Sequence, residues 1–168
     1  DYYNVMQTFD AGKTWMCTST GMSQVVMKSA FVLPGTHDFL VTLMDHSWYI
    51  TRDGGKNFSP YPGFGYERLF FQVAPSDPNI IYASGPRAST VTVSRDRGKT
   101  WKMPAQKGLP ENRRHYIRSS VAVDPQNAET IYLGVSNEFA NGKGGGVYVS
   151  CDAGETWTRM SNGLPDLT

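Results

Sequence analysis

Four stretches of the chain place a hydroxyl, a carboxylate, a glycine and an aromatic ring at the same offsets. They are Thr8 to Trp15 (TFDAGKTW), Thr51 to Phe58 (TRDGGKNF), Ser94 to Trp101 (SRDRGKTW) and Ser150 to Trp157 (SCDAGETW). A carboxylate two residues from a hydroxyl is equipped for general acid or base work, or for activating a nucleophile. The arrangement occurs four times, however, and a single active site needs a unique acid. Asp10, Asp53, Asp96 and Asp152 therefore read as structural, each accepting backbone N–H groups of its own turn with the hydroxyl's help. The glycine two residues later (Gly12, Gly55, Gly98, Gly154) suits a positive φ. The aromatic (Trp15, Phe58, Trp101, Trp157) is expected to fold back into the core.

Other chemistry is sparse. His37, His46 and His115 have no ligand spacing and neither Cys17 nor Cys151 has a second thiol nearby, so no zinc site or other cofactor is implied. Gly144-Gly145-Gly146 opens no helix, which excludes a phosphate cradle. Glu67 and Glu138 are acids in loop-like sequence, read as solvated or as site candidates. A cluster of aromatics, Trp48, Tyr49, Tyr61, Phe64 and Tyr66, falls on expected loops and strand ends. Such rings either stack on the apolar face of a sugar or pack one sheet on the next.

The elements that must position these residues follow from the repeat. The four aspartates lie at 10, 53, 96 and 152, so the steps are 43, 43 and 56 residues, the length of a four-stranded propeller blade. In the third unit, LFFQVAP (69–75) leads through a Ser-Asp-Pro-Asn turn into IIYAS (80–84), then TVTVS (90–94), the box turn and TWKM (100–103). The fourth unit repeats this order with SSVAVDPQN, TIYLGV, GVYVS and TWTRM. Short β-branched and aromatic runs punctuated by Pro, Gly and Asn argue an all-β fold. The extra length of the fourth unit falls in two loops, one around GLPENRRHY and one at NEFANGKGGG, where repeat folds tolerate insertions. The expected division is the end of one blade (1–28), three blades (29–62, 63–105, 106–162) and the start of another (163–168). That is a β-propeller of about three and a half blades, completed by the remaining blades of the same polypeptide or by other copies.

Bulk composition narrows the class. At 168 residues and 39% hydrophobic the chain can build a sizeable core. A formal charge of +1 gives no reason to expect nucleic acid as a partner, and the short patch Arg113, Arg114, His115 and Arg118 reads as a solvated loop. No run approaches the roughly 18 apolar residues of a membrane span. The chain opens DYYNVM, which reads as mature or excised sequence. Cys17 and Cys151 stand in the first and last units, too far apart in the repeat for a bridge to be expected. Asn57-Phe58-Ser59 matches a glycosylation sequon.

The motif S/T-x-D-x-G-x-x-W/F resembles the Asp box, or BNR repeat, of sialidases, sortilin-type receptors, photosystem assembly factors and two-propeller xyloglucan endoglucanases. The texture is most similar to the xyloglucanase type: DPN before IIY, DPQNAETIY, and the recurrent GLP at 108–110 and 163–165. On that resemblance Asp45, ending the run FLVTLMD, corresponds to the catalytic acid of the second propeller, although HSWY follows it where the family has IGGF. Its partner aspartate would lie in the other propeller, since glycosidases act with two carboxylates. Asp45 thus reads either as that acid or as a carboxylate capping a strand end, with Trp48, Tyr49, Tyr61 and Phe64 lining a sugar site. The resemblance implies a segment of a secreted or cell-surface glycoside hydrolase acting on a β-glucan such as xyloglucan. The other implied function is a non-catalytic propeller that binds a protein through loops 106–116 and 136–146. A sialidase reading finds no support in the placement of Arg87, Arg113 and Arg118.

Overall fold

The computed structural model describes residues 6–18, 27–43, 48–61, 70–85, 88–110, 119–135, 144–160 and 162–164. These residues form thirteen strands and no helix. The chain divides into two compact units, Asp1–Arg68 and Leu69–Thr168.

The first unit holds a two-stranded hairpin, β1 (Met6–Gln7) and β2 (Met16–Cys17), and one complete meander. The meander runs β3 (Met27–Val32), β4 (Phe39–Leu43), β5 (Tyr49–Thr51) and β6 (Ser59–Pro60), each strand antiparallel to the one before. Val41 and Phe58 are buried together with Phe39 and Tyr49 against them, and the Phe39 and Phe58 rings meet edge-on at 5.6 Å.

The second unit holds two sheets. The first comprises β7 (Phe70–Ala74), β8 (Asp77–Gly85) and β9 (Ala88–Ser94); the second comprises β10 (Ser119–Val123), β11 (Ile131–Val135), β12 (Gly146–Ser150) and β13 (Thr158–Arg159). Strand β8 begins at Asp77, earlier than the expected 80, because a register shift after Val73 lets Asp77 pair with Ala74. The expected fourth strand of this blade shrinks to one bridge, Val93 to Lys102. Proline is the reason. In the other two blades the residue three beyond the box aromatic donates its N–H to the third strand or the residue just before it, Tyr61 to Trp48 O at 2.7 Å and Met160 to Val147 O at 2.7 Å. The same position in the third blade is Pro104, which has no N–H.

The core of the second unit lies between its two sheets. Ala74, Ile80, Tyr82, Val91 and Val93 from one sheet meet Val121, Ile131, Leu133, Val135, Tyr148, Ala153 and Trp157 from the other. Alternation explains the membership: Ile131, Leu133 and Val135 are buried while Tyr132 and Gly134 between them are half-buried. Two hydrogen-bonded features join the sheets. The Tyr82 hydroxyl donates to Ala128 O at 2.7 Å. The linker after the third blade then pairs in parallel with the fourth box, Lys107 N to Glu155 O at 3.0 Å and Trp157 N to Lys107 O at 2.8 Å.

Candidate functional site

The four repeated motifs share one bonding pattern. In the first, the Thr8 hydroxyl donates to Asp10 Oδ1 (2.9 Å) while accepting the Gly12 amide (2.8 Å). Asp10 also takes the amide of Thr14 on Oδ1 (2.8 Å) and its hydroxyl on Oδ2 (2.6 Å). The Trp15 indole then closes the turn by donating to Gly12 O. Ser94, Asp96, Gly98, Thr100 and Trp101 repeat this set, as do Ser150, Asp152, Gly154, Thr156 and Trp157. In the second motif Asn57 replaces the threonine, its Nδ2 donating to Asp53 Oδ2 at 2.9 Å, and Phe58 replaces the tryptophan, with no ring N–H to close the turn. The sequon asparagine thus serves as a turn residue.

These bonds favour the charged carboxylate. The side chain and then the amide of Thr14 hold Asp10 down to about 2, and Asn57 does the same for Asp53, also about 2. For Asp96 and Asp152 burial pushes upward, but the hydroxyls and amides of Thr100 and Thr156, with Ser94 and Ser150, outweigh it and both are lowered. The turn backbone carries positive φ at two consecutive residues. The glycines have φ of 81 to 95°, and the residues before them are Ala11 (56°), Gly54 (68°), Arg97 (60°) and Ala153 (56°).

Every carboxylate among the described residues is engaged. Beyond the four box aspartates, Asp38 faces Arg52 at 3.6 Å, and Asp77 and Asp124 accept amides of their own turns. Glu129 pairs with Arg95, and Glu155 accepts the Ala105 amide and the Lys102 ammonium. Asp45, Glu67 and Glu138 lie outside the described residues, as do Phe64 and Tyr66.

The described aromatic candidates are buried or half-buried. Trp48 is 1% exposed and Tyr61 5%, while Tyr49 is half-buried beside the Val41–Phe58 cluster. The two inserted loops are described only at their ends, and those ends meet. A Cβ on Gly144 would come within 2.8 Å of the Pro110 ring. The Tyr148 hydroxyl and the Arg159 guanidinium hold this corner by donating to Gly144 O and Gly145 O, both at 2.9 Å. The sequence placed both insertions in one blade but held no signal that they converge. Among the described residues no three His, Cys, Asp or Glu side chains cluster as a metal site, and no helix is long and apolar enough to cross a membrane.

The BNR/Asp-box repeat model matches residues 92–103, the third of the four motifs. An ancestral GH74 enzyme superposes on 94% of the chain with a TM-score of 0.68 and 23% identity. The GH74 xyloglucanase from Xanthomonas campestris superposes on 93% with a TM-score of 0.59 and 20% identity. A YCF48 structure bound to D1 peptide superposes on 83% with a TM-score of 0.50 and 16% identity. The chain spans 21%, 27% and 46% of the length of these three proteins respectively. No curated protein matches the sequence. The likeness is one of fold: the chain is a partial Asp-box β-propeller, similar to GH74 xyloglucanase and YCF48 propellers, and the all-β expectation holds.

Proposed function

We propose that the chain is part of a secreted GH74-like glycoside hydrolase that binds and cleaves a β-glucan such as xyloglucan. The observation that carries this reading is the likeness to an ancestral GH74 enzyme along 94% of the chain, joined to the xyloglucanase-like texture of the DPN, DPQN and GLP turns. In this reading the described residues are scaffold, because each of their carboxylates is held by a hydrogen bond or ion pair. Asp45 is the acid, and its partner comes from elsewhere in the whole protein. In this reading Trp48 and Tyr61, which are buried, belong to that scaffold.

The test is hydrolysis of xyloglucan by the parent polypeptide, read as new reducing ends, with Asp45→Asn beside it. Loss of at least about a hundredfold in rate with xyloglucan binding retained supports Asp45 as the acid. Undiminished turnover in the variant removes Asp45 from that role.

A second reading, a protein-binding propeller, is favoured by the convergence of the two inserted loops at Pro110 and Gly144. The YCF48 propeller bound to a peptide has the same fold. Absence of both hydrolysis and glucan binding in the parent polypeptide would favour this second reading.

A further inference from the structure

Two ion pairs cross from the third blade to the fourth. The Arg95 guanidinium meets the Glu129 carboxylate through two parallel bonds, Nη1 to Oε1 and Nη2 to Oε2, both 2.6 Å. The Lys102 ammonium lies 3.3 Å from Glu155 Oε1, whose other oxygen accepts the Ala105 amide at 2.8 Å. Arg95 is the second residue of its box and Lys102 follows the box aromatic. At the first of these positions the other boxes have Phe9, Arg52 and Cys151, and at the second Met16, Ser59 and Thr158. Only the third blade has cations at both.

The acids are equally particular to one blade. Glu155 stands where the other three boxes have Lys13, Lys56 and Lys99. Glu129, two residues before the strand that pairs with the box serine, stands where the other blades have His37 and Asn79. Both departures from the repeat fall on the one blade that faces both cations. Two other hydrogen-bonded contacts of the junction, the Tyr82 hydroxyl on a carbonyl and the backbone ladder of Gln106 and Lys107 ahead of the Gly-Leu-Pro linker, do not discriminate. Tyr132 and Asn162, the residue ahead of the second Gly-Leu-Pro, stand at the corresponding positions of the fourth blade.

We infer that this junction is keyed by charge: Arg95 and Lys102 select, as the next blade, one presenting acids at the positions of Glu129 and Glu155. A repeat whose blades share core and turn chemistry is prone to pairing with the wrong neighbour. Here a blade carrying the lysine of the other boxes would set two cations together at Lys102. The key gives specificity by penalising the wrong partner as well as holding the right one.

The test is a charge swap in the parent polypeptide, with urea unfolding followed by tryptophan fluorescence at about 0.05 M and about 1 M salt. Arg95→Glu and Glu129→Arg should each lower the folding equilibrium constant roughly tenfold at low salt. The double swap should return it to within about threefold of the parent chain, and high salt should shrink the single-variant losses. A double swap as unstable as the product of the singles, or losses indifferent to salt, overturns the inference. Glu155→Gln and Glu155→Lys give an independent arm on a more exposed pair. Gln keeps an acceptor for the Ala105 amide, so the lysine variant should lose at least about threefold more at low salt. Equal losses for the two also overturn the inference.

Discussion

Gly108 lies against the backbone of Trp157: a Cβ on Gly108 would land on the Trp157 carbonyl oxygen, and Gly108 holds φ +93°. The approach is close because Trp157 N donates to Lys107 O at 2.8 Å, drawing the linker onto the box turn. Gly108→Ala should therefore cost on the order of 3 kcal/mol, from backbone strain and the clash together. Gly163, in the second Gly-Leu-Pro, has φ +83° with nothing within 4 Å of an added Cβ. Gly163→Ala should cost about 1 kcal/mol, the left-handed strain alone. Urea unfolding of the two variants side by side measures the difference, and equal costs would refute the close approach.

The box tryptophans should differ sharply when truncated. Trp157 is 6% exposed inside the core of the second unit, whereas Trp15 is 56% exposed. Trp157→Ala is expected to cost about 3–5 kcal/mol and Trp15→Ala under about 1 kcal/mol in denaturant melts of this chain.

Left-handed alanines offer a route to stabilisation. Ala11 is exposed at φ 56°, so Ala11→Gly relieves strain without losing packing and should gain about 0.5 kcal/mol. Ala153 has the same φ but is buried in the core, so Ala153→Gly should gain nothing or lose stability. The second box already carries glycine there, Gly54. Thermal melts of the pair separate backbone strain from packing.

Acid should loosen the boxes late. Asp10 and Asp53 titrate at about 2 when folded, below the ordinary carboxylate value of 3.8. A depressed pKa contributes stability that is full above the ordinary value and is lost as pH falls through the folded one. The contribution of these turns should therefore persist to about pH 4 and fade between there and about pH 2. Acid titration of the first unit, followed by hydrogen exchange at the Thr14 and Asn57 amides, checks the window. Loss of protection already above pH 5 would contradict it.

The boxes were legible in sequence because each is a local bargain among eight residues, needing a hydroxyl, a carboxylate and a glycine at fixed offsets. The blade strands were legible for the same reason, through alternation and turn residues. The left-handed Ala11, Arg97 and Ala153 were not, since nothing in an alanine or arginine announces a positive φ. The weak fourth strand at Lys102 could have been read from Pro104. The charge pairs across the junction could not, because Arg95 and Glu129 are 34 residues apart and meet only through tertiary packing. The candidate site was the least legible part. Glycosidases assemble their carboxylates from distant segments, and Asp45 carries no local pattern that separates an acid from a strand-end cap.

Each bond of an Asp box joins residues two to four apart. Loops this short close within about 100 ns, whereas a ribosome adds about 5–20 residues per second. A box can therefore close soon after its eight residues leave the exit tunnel, while the strands of the following blade are still being made. The turn between the third and fourth strands of each blade can thus form in the order of translation, from Asp10 to Asp152, without waiting for the next sheet to be made.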